Sequence, residues 1–295
     1  MVGLNLQKTE DMKTPSRMHS HFLAHGTMLT PDILRDCLEA DQKLGFEAMV
    51  IVAALIDQSR YSPGIIADVF EEVGMSGLVC GLNQGDGPDP LGGDEKLVIE
   101  SLRAQAAYAI ALAERDCGPE LFVGPTHAKH RTQRPVWPDS AFDRWIDAVE
   151  GLANETGLRV LFEPLNGIED GTPTPFSTIH TAVCGRKKLG IHFDTGHARA
   201  HGLTPKDLPM IADSIGYFEF ANVGRHPLYN QMGIDFAAYA RSMQYLPEDC
   251  EVGDEPFDPS VINAFGLQKL CTTTMSGSEC LKRDVAYLRS LGVMA

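Results

Sequence analysis

No run of apolar residues in this 295-residue chain approaches the ~18–20 that a membrane-spanning helix needs, which sets a helical membrane protein aside. Basic residues are scarce: 25 Lys and Arg stand against 40 Asp and Glu, a formal net charge of −15. An acidic surface of this kind repels phosphate backbones and anionic lipid, so neither nucleic acid nor a membrane surface is an expected partner. The seven cysteines (Cys37, Cys80, Cys117, Cys184, Cys250, Cys271 and Cys280) contain no CxxC pair. Their scatter reads as reduced thiols in a cytoplasmic protein rather than as a disulfide framework. The glycine-rich stretch QGDGPDPLGGD (84–94) lacks the G-x-G-x-x-G spacing and is itself acidic, so it is no phosphate cradle. The first 16 residues lack the apolar core of a signal peptide and read as a mobile tail, 1–16, ahead of one domain, 17–295.

What is present is an ordinary globular composition, 43% hydrophobic and 22% charged, and a recurring alternation of short apolar runs with amphipathic segments. The runs are RMHSHFLAHG (17–26), FEAMVIVA (46–53), GLVCGLN (77–83), ELFVGP (120–125), LRVLFEPLN (158–166), LGIHFDTGH (189–197), GYFEFANVG (216–224) and CEVGDEPF (250–257). Helical patterns separate them. The first such pattern has Thr30 as a candidate N-cap, Pro31 in its first turn and Gly45 at its end. Strand–helix alternation predicts a parallel sheet covered by helices. Eight such units predict a single-domain α/β fold, the (β/α)8 TIM barrel, which this length suits.

Active sites of such barrels lie at the C-terminal ends of the strands. Four acidic residues occupy those positions on four consecutive strands: Glu163, Asp194, Glu219 and Glu255. Each follows an apolar run, and a buried carboxylate is costly unless it is paired or bound to metal. One alone fits a salt bridge or a helix cap, but four in corresponding positions point to a shared cation. Oxygen donors suit a hard ion such as Mn²⁺ or Mg²⁺. Of the other acids on the last strand, Glu251 shares a face with Glu255 but lies near the strand's start.

These residues resemble the xylose isomerase-like barrel superfamily, and in it the ketose 3-epimerases of the D-tagatose 3-epimerase type. The family's E-x-x-N-x-x-E is matched by Glu163, Asn166 and Glu169, and its D-T-x-H by Asp194, Thr195, Gly196 and His197. Glu219 and Arg225 keep the family's strand-seven spacing, and Glu255-Pro256-Phe257 its E-x-F. The resemblance implies that Glu163, Asp194, Glu219 and Glu255 bind one divalent metal, Mn²⁺ first, with Mg²⁺ or Co²⁺ as alternatives. It implies that Glu163 and Glu255 are the proton-transfer pair, and that His197, Arg225 and Glu169 bind substrate. The implied activity is epimerisation or isomerisation of a ketose-like sugar through an enediolate, in a homo-oligomer. Two departures stand out. Glu219 replaces the family's usual His or Gln, and HPLYNQMG (226–233) replaces its P-G-x-G. A lyase or dehydratase of the same barrel, acting on a keto-sugar or 3-keto C-glycoside with a small partner subunit, fits those departures.

Two further classes are weighed. A DNA-repair endonuclease of the superfamily needs His-rich zinc sites and a basic face, which the charge disfavours. A non-catalytic binder has no use for both proton-transfer carboxylates. Among the remaining residues, His19, His21 and His25 surround the first strand, where a hydrogen-bonded core role competes with a pocket role. His127, His130 and Trp137 follow the fourth strand, where a solvated loop or a packing role competes with a substrate contact.

Overall fold

The computed structural model describes residues 15, 17–81, 90–124, 139–165, 176–264 and 271–295. Eight parallel strands close into one barrel in sequence order: β1 (Met18–His21), β2 (Ala48–Val52), β3 (Ser76–Cys80), β4 (Leu121–Val123), β5 (Arg159–Phe162), β6 (Leu189–Asp194), β7 (Ile215–Phe220) and β8 (Glu251–Asp254). Closure is made by β1 against β8, with Met18 opposite Val252. The described helices are α1 (Pro31–Leu44), α2 (Pro63–Val73), α3 (Glu95–Ala113), α4 (Asp139–Thr156), α5 (Phe176–Val183), α6 (Thr195–Ala200), α7 (Leu208–Ile211), α8 (Phe236–Ser242), α9 (Pro259–Ala264) and α10 (Gly277–Ser290). None of the described helices is long and apolar enough to cross a membrane. All seven cysteines are unpaired. The 1–16 segment lies outside the described residues apart from Pro15.

All eight expected strands form, because a parallel strand buried on both faces reads as a continuous apolar run. The runs outlast the strands, however: β5 stops at Phe162 and β8 at Asp254. Glu163 and Glu255 therefore stand just beyond the last rung, where the chain begins to turn outward. At α1, the Thr30 hydroxyl accepts from the Ile33 amide, and Gly45 closes the helix at φ 100°.

Side chains alternate between two cores. The larger lies between barrel and helices and includes Trp145, Phe122, Phe193 and Phe218. The smaller fills the barrel with Val50, Val52, Leu78, Cys80, Leu121, Val123, Leu161 and Tyr217. The interior is thus divided. Strands β2 to β4 present only aliphatic groups and a thiol, whereas β5 to β8 carry carboxylates to the mouth. At the opposite end, Glu251 is held by Arg17 Nη2 at 2.8 Å and His19 Nε2 at 2.7 Å.

Gly253 sits between these levels, paired with Glu219 across β7 and β8. A Cβ there would overlap the Tyr217 hydroxyl, so the glycine leaves room for a buried phenol. Gly253→Ala is expected to destabilise the protein by about 1–3 kcal/mol through overpacking, measured by urea unfolding; an unchanged midpoint would show that the ring moves aside freely.

Candidate active site

The D-T-G-H segment shows how the sequence builds the mouth. Asp194 ends β6 and caps α6, its Oδ1 accepting from the His197 amide at 2.7 Å. Thr195 Oγ1 donates to the Ala221 carbonyl (2.8 Å) and accepts from the Ala221 amide (2.9 Å), fastening the end of β6 to the end of β7. Gly196 packs closely, since a Cβ there would lie 3.1 Å from Asp194 Oδ1 and 3.3 Å from the Ala221 carbonyl. One turn on, His197 reaches Glu163, with Nε2 at 3.4 Å from Oε1.

Arg225 sits in a tight turn after β7 with φ 56°, beside Gly224 at φ 66°. A non-glycine residue held there is strained, a cost that surrounding contacts must offset. Those contacts are strong: Nη1 donates to Asp194 Oδ2 at 2.8 Å, Nη2 lies 2.5 Å from Glu255 Oε2, and the guanidinium rests 4.7 Å from the Phe257 ring centroid. Glu219, fully buried, accepts from Tyr217 Oη at Oε1 and pairs with His192 Nε2 at Oε2, each at 2.8 Å. The other ring nitrogen of His192 faces Glu163 Oε2 at 3.8 Å.

The result is an alternating series of acids and bases around the mouth. From Glu219 it runs through His192, Glu163, His197, Asp194, Arg225 and Glu255 to His21, whose Nε2 is 3.6 Å from Glu255. The four carboxylates expected to form one ring are therefore gathered, with imidazoles and a guanidinium set between them. Donor atoms that approach within 4.8 Å of one another form three overlapping triads: Glu163–Asp194–His197, Glu163–His192–Glu219 and His21–Glu219–Glu255. His192 Nδ1 is buried with no hydrogen-bond partner. Glu255 Oε2, paired with Arg225 but misaligned for a hydrogen bond, likewise has none, and mixed oxygen and imidazole donors, two of them unsatisfied, fit a divalent cation.

Charge is unevenly distributed among these groups. Burial would raise Glu163, but the neighbouring imidazoles of His192 and His197 outweigh it and hold its carboxyl below the usual range. Burial dominates at Glu255 and, with Glu219, Asp194 and Glu163 nearby, pushes it well above, against the pull of Arg225. Asp194 is held low despite burial by Arg225 and His197. Burial also depresses His21 to about 3, aided by Arg225 and His192. Its Nδ1 accepts from the Leu23 amide at 3.2 Å, so its proton sits on Nε2, toward Glu255. At His192 burial opposes the charge, yet Glu163 and Glu219 lift it to about 9.

The three histidines around β1 have three fates. His19 is a core residue at the far end, His21 lines the mouth, and His25 faces α1 with Nε2 at 2.9 Å from Asp41 Oδ2. His192, Tyr217 and Glu219 form a unit of which sequence reasoning named only the last. Alternation supplied part of the signal, since each missed residue lies two positions before a predicted one, on the same strand face, but it does not give their depth in the barrel. Asn166, Glu169, His127, His130 and Trp137 lie outside the described residues.

No family profile matches the chain, and no curated protein does. Solved structures are similar. An L-ribulose 3-epimerase superposes with a TM-score of 0.78 at 18% identity over 94% of both chains. A D-allulose 3-epimerase from Methylomonas sp. gives 0.77 at 16% identity, over 95% of this chain and 99% of that one. An AP endonuclease of family 2 from Brucella melitensis gives 0.61 at 15% identity, over 85% and 98%. The protein is thus a (β/α)8 barrel of the architecture found in ketose 3-epimerases and xylose isomerase-like domain proteins. At these identities the likeness is one of fold.

Two outcomes follow from the geometry. Arg225→Ala strips Asp194 and Glu255 of their shared counter-charge and is expected to lower the stability of the metal-free protein by about 3–5 kcal/mol; a loss below 1 kcal/mol in urea unfolding would show the pair to be solvated. At His25, burial lowers the pKa, but Asp41 and Cys37 outweigh it and raise it from 6.5 to about 10. A raised folded-state pKa contributes stability that is complete below pH 6.5 and is lost as pH rises through 10. The stability gap between the native chain and His25→Gln should therefore shrink across that window, and a gap independent of pH would contradict a protonated ring.

Proposed function

We propose that this barrel is a divalent-metal-dependent epimerase or isomerase of a ketose-like sugar. The observation that carries the reading is the gathering of Glu163, Asp194, Glu219 and Glu255 with His21, His192 and His197 at the barrel mouth, in three overlapping groups whose donor atoms lie within 4.8 Å of one another. In the metal-free chain Glu163 is shifted down and Glu255 up, which accords with the roles of base and acid. The shared architecture with 3-epimerases supports the choice of substrate class.

Glu163, Asp194 and Glu255 would hold the cation with oxygen donors, and Glu219 completes the acidic set. Mn²⁺ is the preferred ion, with Mg²⁺ or Co²⁺ as alternatives. When bound, the metal supplies Lewis acidity that weakens the C–H bond beside the substrate carbonyl. Glu163 removes that proton to leave an enediolate, and Glu255 returns a proton, to the opposite face for epimerisation or to the adjacent carbon for isomerisation. Arg225 and His197 bind substrate oxygens, with Glu169 as a further contact. His21, neutral and carrying its proton on Nε2, faces Glu255 at 3.6 Å.

The test is exchange in D₂O against a panel of free ketoses, with protein loaded with Mn²⁺ or stripped with EDTA. Deuterium is expected to enter the carbon beside the carbonyl, to be absent after stripping, and to fall by about 10²–10⁴-fold in Glu163→Gln. Metal bound firmly with no exchange into any ketose would overturn the epimerase reading and direct attention to keto-glycosides.

A further inference from the structure

The series of ion pairs leaves buried polar atoms unused. His192 is 3% exposed, and its two ring nitrogens have different surroundings. Nε2 is fixed by Glu219 Oε2 at 2.8 Å. Nδ1 has no hydrogen-bond partner, yet it faces Glu163 Oε2 at 3.8 Å. That separation is too long for a hydrogen bond. It falls within the span of two donors sharing one cation, each bond being about 2.1 Å.

Everything behind the ring is built to hold it in that pose. Tyr217 packs against the imidazole with centroids 4.8 Å apart and donates its hydroxyl to Glu219 Oε1 at 2.8 Å. Both oxygens of Glu219 are thereby engaged, and the residue is fully buried. The register between β6 and β7 shifts between Ile191 and His192, so that His192 falls opposite Tyr217 and Asp194 opposite Glu219. Irregularities of this kind re-aim side chains beside active sites.

We infer that His192 is a metal ligand through Nδ1, and that Glu219 serves the metal indirectly, as the carboxylate that orients the His192 ring. Tyr217, Glu219 and His192 would then form one relay toward the cation, whose binding would release the proton from Nδ1, and Glu163 would be a further ligand. Carboxylates that hold the distal N–H of a ligating imidazole fix its tautomer and raise its basicity. This assignment rests on the metal-dependent reading of the site and replaces a direct Glu219–metal bond with an imidazole one. Glu219 and Tyr217 become positioning residues, and the site gains a nitrogen donor that no strand-end carboxylate supplies.

The experiment is spectroscopic. Electron spin-echo envelope modulation of the Mn²⁺-loaded full chain is expected to show ¹⁴N modulation that disappears in His192→Gln and persists in His21→Gln and His197→Gln. Glu219→Gln is expected to keep the modulation while weakening Mn²⁺ binding about 10–100-fold. Where a variant fails to fold, the unaltered chain with ¹⁵N-labelled histidine and ¹¹³Cd²⁺ gives the same answer. Coupling to an Nδ1 nitrogen identifies His192, because His21 Nδ1 is occupied by the Leu23 amide and His197 faces Glu163 through Nε2. Nitrogen modulation that survives in His192→Gln, coupling only to Nε2, or metal bound through oxygen alone would overturn the assignment and leave the epimerase reading standing. A chain that binds no divalent metal would overturn both, and the D₂O exchange assay decides the epimerase reading on its own.

Discussion

Like charges buried side by side repel in a medium that screens them poorly, and four carboxylates crowd the mouth of this barrel. The rest of the site follows from the need to compensate them. Arg225 bridges Asp194 and Glu255 from a strained turn, and His192 lies between Glu163 and Glu219. Compensation is unequal by construction. Glu163, flanked by imidazoles, is held below the usual carboxylate range, and Glu255, where burial outweighs Arg225, is pushed above it. A difference in burial and neighbours thus shifts two glutamates in opposite directions, with no difference in residue type.

The scaffold makes this arrangement tolerable by fastening its parts through backbone. Asp194 is held as a helix cap before it is anything else, and Thr195 locks β6 to β7 at the level of the site. Tyr217 occupies the space that Gly253 leaves and reaches Glu219 from below. Such contacts fix side chains at the mouth without requiring the substrate to organise them.

The barrel was legible in the sequence because doubly buried strands read as apolar runs at regular intervals, and the four carboxylates because each interrupts such a run at its end. The pairing was not legible. Arg225 follows β7 by several residues, and only the turn through Gly224 brings it back over Asp194 and Glu255. His192 and Tyr217 sit inside apolar runs, where a ring reads as core. What distinguishes them is depth along the barrel axis, which depends on strand tilt and on the register shift at His192. The same uncertainty covered β1: alternation puts His19 and His21 on one face, but height alone sends one to Glu251 and the other to Glu255.

The division of the barrel interior separates two kinds of heritable information. Ionisable groups occupy β5 to β8 and the end of β1, whereas Val52, Cys80 and Val123 form a wall without formal charge. Exchanging one aliphatic residue for another on that wall reshapes the barrel interior while leaving its ionisable groups untouched. Substitutions on one side of the barrel can therefore alter its shape while the ionisable groups on the other side stay in place.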